Sequence, residues 1–214
     1  MYTDLVNKHF GNMKRQLIEK ELSEFTANNQ ECVVLDVGAG KGANFAYLPP
    51  NASVICIEPD PLMRQALQTN VLGYPRVKLE KVIGGFAEDM SEIDSGSVDV
   101  VIATHVLCSV DDIKQTLKEI KRVLRKGGKY IYMEHVAARE SNWLHYLQCI
   151  LSPVWRWVLI CRLDVDARQH IEGAGFASQK DEYFIVGQLE PIFSMFTIIW
   201  SHVTRPHLFG VAIK

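Results

Sequence analysis

The feature that most limits the possible folds is a buried-type strand that runs straight into a glycine-rich turn. The segment reads Val33-Val34-Leu35-Asp36-Val37-Gly38-Ala39-Gly40-Lys41-Gly42. Glycine lets a backbone turn sharply and approach a ligand closely, because it carries no Cβ. About twenty residues later a second apolar run ends at Glu58, where a carboxylate can accept hydrogen bonds from ribose hydroxyls. Together the two strands predict a nucleotide-type cofactor site, and therefore an enzyme.

Charge distinguishes two cofactors that this loop can hold. Residues 38–43 also satisfy the loose G-x-G-x-x-A pattern of dinucleotide sites, but a pyrophosphate beside Asp36 would bring two negative groups together. S-adenosylmethionine carries a sulfonium and an ammonium, for which a nearby carboxylate is favourable. Asp36 therefore favours S-adenosylmethionine over NAD. An alternative role for Asp36, capping local backbone amides, is compatible with this cofactor.

The composition argues against nucleic-acid and metal partners and indicates the redox compartment. The chain has 23 basic and 25 acidic residues among 214, so its charge does not predict nucleic-acid binding. Basic residues between 114 and 129 follow a helical period and are interpreted as a solvated helix face. The five cysteines are an odd number, and two of them lie in apolar strand-like runs, which indicates a reducing compartment. No metal-ligand spacing is present, so we expect no metal site.

Strands and helices alternate along the chain. Strands are predicted at 32–37, 53–57, 77–82, 98–104, 129–135, 183–186 and 208–213, and helices at 4–25, 43–48, 60–70, 111–124, 141–162 and 164–173. This alternation predicts an α/β fold: a doubly wound parallel sheet with helices on both faces. We expect a single domain over residues 1–214, with an N-terminal helical segment at 1–30.

Such sheets bind ligands beyond the carboxyl ends of their strands, at the point where the strand order reverses. The candidate loops are residues 36–42, 58–59, 86–89, 104–109 and 134–135. His105 and His135 are the two histidines at these ends, and either could accept a proton, although a purely local hydrogen bond is the alternative for each. Cys108 is interpreted as a buried thiol. Asp99 precedes its strand and is predicted to cap backbone or lie at the surface.

Two apolar segments, residues 141–162 and 188–206, follow the sheet. Neither contains a stretch long and apolar enough to span a bilayer, but each could cover an apolar pocket or contact a membrane surface. Their aromatic residues would suit a lid over a hydrophobic small molecule, and the alternative is that half of them are ordinary core. These residues are Trp143, Tyr146, Trp155, Trp157, Phe193, Phe196 and Trp200.

Five ordered motifs resemble those of the class I S-adenosylmethionine-dependent methyltransferases. They are Leu35 to Gly42, Ile57-Glu58-Pro59, Ala87 to Met90, Gly96 to Val101 and Arg122 to Gly128. Within that superfamily the sequences Gly42-Ala43-Asn44-Phe45, Pro49-Pro50, Val106 to Val110 and Glu134 to Ala137 resemble the small-molecule thiol S-methyltransferases, over roughly residues 5 to 140. The resemblance implies a Rossmann-like seven-stranded sheet, mostly parallel with an antiparallel last strand.

The resemblance also implies roles for individual residues. The glycine loop, Gly38-Ala39-Gly40, would pass under the cofactor with Asp36 nearby, and Glu58-Pro59 would hold the ribose. Ala87 and Glu88 would contact the adenine, whereas Thr104 and His105 would lie beside the transferable methyl group. Phe86 stands where many relatives carry Asp or Asn, so a backbone group or Glu88 must bind the adenine amino group.

The expected activity is transfer of a methyl group to a small hydrophobic acceptor, and a thiol is the favoured acceptor. An oxygen or carbon acceptor, as in phenolic or quinone-like molecules, is the near alternative. A non-catalytic cofactor-binding protein and an NAD-dependent oxidoreductase are the alternatives of other classes. The thiol methyltransferases carry an apolar N-terminal anchor, and this chain begins past that point. We expect a cytoplasmic protein whose apolar segments are candidates for contact with an intracellular membrane surface.

Overall fold

The computed structural model describes residues 2–28, 30–138, 142–185 and 203–214. In this part of the chain one sheet contains β1 (Cys32–Val37), β2 (Ala52–Ile57), β3 (Lys78–Ile83), β4 (Val98–Thr104), β5 (Leu124–His135), β6 (Ser178–Ile185) and β7 (Pro206–Ile213). The spatial order is β3-β2-β1-β4-β5-β7-β6. Strands β1 to β5 pair in parallel, and β7 runs antiparallel to both β5 and β6. The predicted doubly wound sheet with an antiparallel last strand is confirmed.

Helices cover both faces of this sheet. They are α1 (Tyr2–Ala27), α2 (Pro61–Asn70), α3 (Ile113–Val123), α4 (Asn142–Leu159) and α5 (Ala167–Gly173). Ile18 of α1 and Leu67 of α2 belong to the core on one face, whereas Leu117 of α3 and Ile171 of α5 belong to the core on the other. Because strand side chains alternate between faces, β1 supplies Val34 to the first core and neighbouring residues to the second. The order reverses between β1 and β4, so the ligand site is expected there.

Some predicted boundaries were wrong. The helix predicted at 43–48 is only a 3-10 turn, Phe45–Tyr47, because the prolines at 49 and 50 have no N–H with which to continue a helix. Strand β5 begins directly after α3, earlier than predicted, and β6 begins five residues before the predicted 183–186 run. Residue 186 itself lies outside the described residues.

The basic row at 114–129 was predicted to be a solvated face, and for three of its members this is wrong. The ammonium of Lys121 donates to the carbonyls of Ala174 and Gly175, at 2.8 and 2.6 Å. Arg122 donates to the carbonyls of Met90 and Ile93 and pairs with Glu119, and Lys129 pairs with Glu21 and Glu24 of α1. These cations join neighbouring elements.

The predicted role of Asp99 is confirmed. Its carboxylate accepts a hydrogen bond from the Val33 amide at 2.8 Å and pairs with Arg125. Because this contact lies at the start of the central strand, Asp99 stabilises the end of the sheet opposite the candidate site.

Helix α4 forms the first apolar segment, and its aromatic residues differ in burial. Trp155 is buried in a small cluster with Leu163 and Val203, whereas Trp143, Tyr146 and Trp157 are exposed. Residues 188–202 of the second segment, with Phe193, Phe196 and Trp200, lie outside the described residues. Among the helices that are described, none combines the length and apolarity that a membrane crossing needs.

Candidate functional site

The glycine loop after β1 has the backbone conformation that only glycine adopts freely. Gly38 and Gly40 have φ values of 64° and 53°, in the left-handed region that disfavours side chains. A Cβ on Gly38 would lie 2.8 Å from Cγ2 of Val106, whereas a Cβ on Gly40 would meet no atom of the described residues within 4 Å. Ala39 is buried, and its amide donates to the carbonyl of Ile57 at 3.1 Å. The loop therefore packs against β2 and the loop after β4 while Gly40 leaves open space beside it.

Asp36 is a buried carboxylate with one oxygen left over. Its Oδ1 accepts a hydrogen bond from the side-chain amide of Asn44 at 2.8 Å, so capping of backbone amides is not its role at this oxygen. Its Oδ2 has no hydrogen-bond partner among the described residues. Burial raises the pKa of Asp36 to about 6, against the opposing effects of the Asn44 hydrogen bond and of Lys14. A buried anion with spare acceptor capacity suits a cationic ligand.

Lys14 is the residue near the loop that sequence reasoning missed. It comes from α1, is 2% exposed, and holds its ammonium 5.4 Å from the ring centroid of Tyr47. Burial lowers its pKa to about 8, while the nearby Asp36 acts in the opposite direction. The sequence could have indicated Lys14, because it lies beside Met13 on the apolar stripe of the amphipathic helix α1. That position usually holds an apolar residue.

Glu58 links the two cofactor motifs. Its Oε2 accepts from the Gly40 amide at 2.8 Å, and its Oε1 accepts from the Asp60 amide at 3.0 Å. The guanidinium of Arg64 donates to the backbone carbonyls of Glu58 and Pro59. Each carboxylate oxygen can accept more than one hydrogen bond, so Glu58 keeps acceptor capacity for a ligand. Its position is set by the loop that the ligand would contact.

Glu88 contacts the segment that leads into α3. Its Oε1 accepts from the amides of Asp111 and Asp112 at 2.7 and 3.3 Å, immediately before α3. Ala87 is buried, and Phe86 is 68% exposed. Glu88 is thus held toward the start of α3, although its Oε2 has no hydrogen-bond partner among the described residues.

Thr104 ends β4, and His105 follows it in a strained conformation. His105 has a φ of 57°, which is uncommon for a residue with a Cβ, and its amide donates to the carbonyl of Met133 at 2.8 Å. Its ring centroid is 5.3 Å from that of His207 and 5.9 Å from that of Phe10. Burial, reinforced by neighbouring histidines, holds the pKa of His105 well below its usual range. His105 is therefore a neutral imidazole at neutral pH.

His135 has a different environment, although its ring centroid is only 6.1 Å from that of His105. Its Nε2 contacts the Sγ of Cys161, and Cys108 is also within reach. Burial would lower its pKa, but the adjacent Cys108 outweighs this effect and raises the pKa to about 9. An imidazole that is already protonated cannot accept a proton. The surroundings of His135 therefore disfavour a role as base, and the burial that keeps His105 neutral also opposes its protonation.

Two neighbours of these histidines, Phe10 and His207, were not predicted, whereas Glu134 belongs to the candidate loop predicted at residues 134–135. Phe10 of α1 and His207 of β7 have ring centroids 4.7 Å apart. Burial lowers the pKa of His207 to about 3. Glu134 is fully buried, and its Oε1 accepts from the Val106 amide at 3.0 Å. No short motif could have indicated these contacts, because they join residues far apart in the sequence.

Comparisons with known proteins agree with this arrangement. Residues 35–132 match the model of the methyltransferase domain family. The chain is 34% identical to human thiol S-methyltransferase TMT1A, over 100% of this chain and 83% of that protein. It is 31% identical to human thiol S-methyltransferase TMT1B, over 97% of this chain and 81% of that protein.

The fold has solved counterparts. A crystal structure of a SAM-dependent methyltransferase from Thermotoga maritima superposes with a TM-score of 0.63 at 20% identity, covering 98% of this chain and 91% of that one. This similarity concerns the fold, while the sequence identity to TMT1A and TMT1B defines the family. The chain therefore belongs to the class I S-adenosylmethionine-dependent methyltransferases, in the family of TMT1A and TMT1B, and it is a methyltransferase enzyme.

Proposed function

We propose that this enzyme transfers the methyl group of S-adenosylmethionine to the sulfur of a small hydrophobic thiol. The observation that carries the acceptor class is the 34% identity, over the whole chain, to a protein named as a thiol S-methyltransferase. The site supports the cofactor independently, because Asp36 combines burial with an oxygen that lacks a partner among the described residues.

The residues around the glycine loop fit this cofactor. No atom of the described part of the chain lies within 4 Å of a Cβ placed on Gly40, and the Oδ2 of Asp36 would attract the cationic methionine end. Glu58 would accept hydrogen bonds from the ribose hydroxyls through its remaining lone pairs. Because Glu58 also accepts from the Gly40 amide, ribose and methionine binding would depend on the same local geometry.

The adenine contact is better supplied by backbone than by Glu88. The Glu88 carboxylate accepts from two amides before α3, and moving it toward the adenine would break those hydrogen bonds. Backbone groups around Phe86 and Ala87 offer donors and acceptors in the same loop without such a cost. We therefore assign the adenine amino group to this backbone.

The chemistry requires positioning more than acid or base strength. S-adenosylmethionine, when bound, would supply an activated methyl group to the acceptor sulfur and leave as S-adenosylhomocysteine. Thr104 and His105 would orient the two sulfur atoms in line. A thiol is already a few per cent thiolate at neutral pH and needs no strong base, whereas an alcohol would need the neutral imidazole of His105.

Helix α4 would contribute part of the acceptor's surroundings. Trp155 is excluded from this role because it packs inside the cluster of Leu163 and Val203. Trp143, Tyr146 and Trp157 remain available, since they are exposed, and aromatic residues suit an apolar ligand.

Transfer of labelled methyl to matched thiols, phenols and quinols tests the acceptor. We expect methylated thiol as the main product, and product only from phenols or quinols would instead indicate an oxygen or carbon acceptor. Calorimetry with S-adenosylhomocysteine and NAD tests the cofactor separately. Binding of the former without any methyl transfer would favour a non-catalytic protein, and binding of NAD alone would favour an oxidoreductase.

The acceptor should set the pH dependence of turnover. If the thiolate attacks, kcat/KM for a simple thiol should rise about tenfold per pH unit and level off near the thiol pKa of ~8.5. Measurement from pH 7 upward avoids the titration of Asp36. A thiol of lower pKa is the control, because its plateau should begin at lower pH. The same flat profile for both thiols would contradict thiolate attack.

Cofactor affinity should depend on pH through Asp36. Its pKa is about 6, so a cation that needs the carboxylate must displace a proton at lower pH. We expect affinity for S-adenosylmethionine to fall as pH drops below 6, by ~tenfold at pH 5. Asp36→Asn should bind more weakly at pH 7 and vary little over this range. Equal wild-type affinity at pH 7 and pH 5, in calorimetry on folded protein, would contradict this role.

A further inference from the structure

A second constellation lies beside the candidate site, and the proposed methyl transfer does not use it. Cys108 follows β4, His135 ends β5, and Cys161 follows α4. Their Sγ and imidazole nitrogen atoms all lie within 4.8 Å of one another. Cys108 and His135 are buried, and Cys161 is half-buried. Three metal-ligating side chains therefore converge from three separate elements.

The surrounding structure keeps these side chains together. Strands β4 and β5 are parallel neighbours, so Cys108 and His135 emerge at the same edge of the sheet. The amide of Arg162 donates to the carbonyl of Cys108 at 2.8 Å, which holds the segment carrying Cys161 against that edge. Ser109 places its Oγ 3.5 Å from the Sγ of Cys108. The cluster is consequently part of the packed structure and not a chance approach of surface side chains.

The donor types select among metal ions. Two thiolates and an imidazole suit Zn²⁺ or Cu⁺, whereas Mg²⁺ and Ca²⁺ prefer oxygen ligands. In a tetrahedral zinc site, with bonds of about 2.3 Å to sulfur and about 2.0 Å to nitrogen, donor atoms are ~3.5 to 3.8 Å apart. The donor atoms of Cys108, His135 and Cys161 all lie within 4.8 Å of one another, which is compatible with that spacing. Two thiolates also neutralise the double charge of zinc, which matters in a buried site.

We propose that Cys108, His135 and Cys161 bind one Zn²⁺ ion, with the fourth coordination position open to water or a small ligand. Binding releases to solvent the protons carried by the thiols and by the imidazole of His135, and it forms two zinc–sulfur bonds and one zinc–nitrogen bond. Three protein ligands and an open position are typical of zinc sites that exchange ligands. The ion would also tie the segment after α4 to the sheet. The proposal does not depend on the identity of the methyl acceptor.

The metal content of the full-length chain tests this proposal. We expect mass spectrometry of the purified protein, kept reduced by a phosphine in place of a thiol, to find close to one zinc per chain. Replacement by Co²⁺ should produce the absorption band of thiolate-to-cobalt charge transfer. Cys108→Ser and Cys161→Ser should each weaken zinc binding by at least tenfold, measured by competition with a chromogenic chelator.

The chain offers a matched control. Cys149 is exposed on helix α4, and its Sγ is 3.7 Å from the Nε2 of His145. The two residues form a cysteine and histidine pair without a third ligand among the described residues. Cys149→Ser should keep the zinc stoichiometry. Folded wild-type protein that binds no zinc, binds only copper, or binds zinc equally well after Cys161→Ser would overturn the proposal. Cobalt titration of the wild-type chain decides the question even if a variant fails to fold.

Discussion

Glu58→Ala is expected to weaken binding of S-adenosylmethionine by at least tenfold, or about 1.5 to 3 kcal/mol. The change removes the proposed acceptor of the ribose hydroxyls. It also removes the hydrogen bonds from the amides of Gly40 and Asp60, at 2.8 and 3.0 Å. The loss should be similar for S-adenosylhomocysteine, because the ribose is common to both molecules. Isothermal titration calorimetry at pH 7.5 measures both affinities.

Two further variants separate this role from a general effect of charge. Glu58→Gln keeps one carbonyl acceptor and should lose less affinity than Glu58→Ala. Glu80→Gln is the matched control, since Glu80 accepts from Ser53 and pairs with Lys78 away from the carboxyl ends of the strands. It should bind the cofactor as the wild type does. Folded Glu58→Ala protein with undiminished affinity would refute the proposed ribose contact.

Gly210→Ala is expected to lower the free energy of unfolding by about 2 to 4 kcal/mol. A Cβ at Gly210 would lie 2.5 Å from the carbonyl oxygen of Lys180 and 2.7 Å from the hydroxyl oxygen of Tyr132. Strand β7 is hydrogen-bonded to β5 on one side and β6 on the other. It therefore cannot move away from one neighbour without approaching the other. Urea denaturation followed by circular dichroism measures the change.

Gly173→Ala provides the comparison for this prediction. Gly173 is the last residue of α5, and a Cβ there would meet no atom within 4 Å in the part of the chain that the structure describes. Alanine reduces the entropy of the unfolded chain and favours helix, so stability should be unchanged or should rise by up to ~1 kcal/mol. Equal stability of Gly210→Ala and wild type would show that the sheet can relax around the added methyl group.

The sequence predicted the sheet and the cofactor loop because both depend on local patterns. Apolar runs specify strands, and the left-handed conformations of Gly38 and Gly40 exclude most other residues. Asp36 and Glu58 were predicted as ligand-binding carboxylates because they lie near the carboxyl ends of two predicted strands. Boundaries were less accurate where one residue overrides a pattern, as the prolines do after the 3-10 turn at Phe45–Tyr47.

Contacts between distant segments were not predictable in this way. The sequence did not indicate that the Glu88 carboxylate accepts hydrogen bonds from the amides of Asp111 and Asp112, just before α3. His105 and His135 occupy equivalent strand ends, but one pKa is lowered and the other is raised to about 9. The difference comes from neighbours supplied by other elements, which position in the sequence does not reveal.

The sequence by itself therefore determined the order of strands and helices along the chain, the glycine loop, and the carboxylates Asp36 and Glu58. These depend on backbone conformation and on the alternation of buried residues, which are properties of short segments. Only the tertiary structure decided that Lys14 approaches Asp36, and that Cys108, His135 and Cys161 meet at one edge of the sheet. Such contacts depend on strand pairing and helix packing, which bring together residues far apart in the chain. These neighbours then set the burial and the electrostatic surroundings of each group.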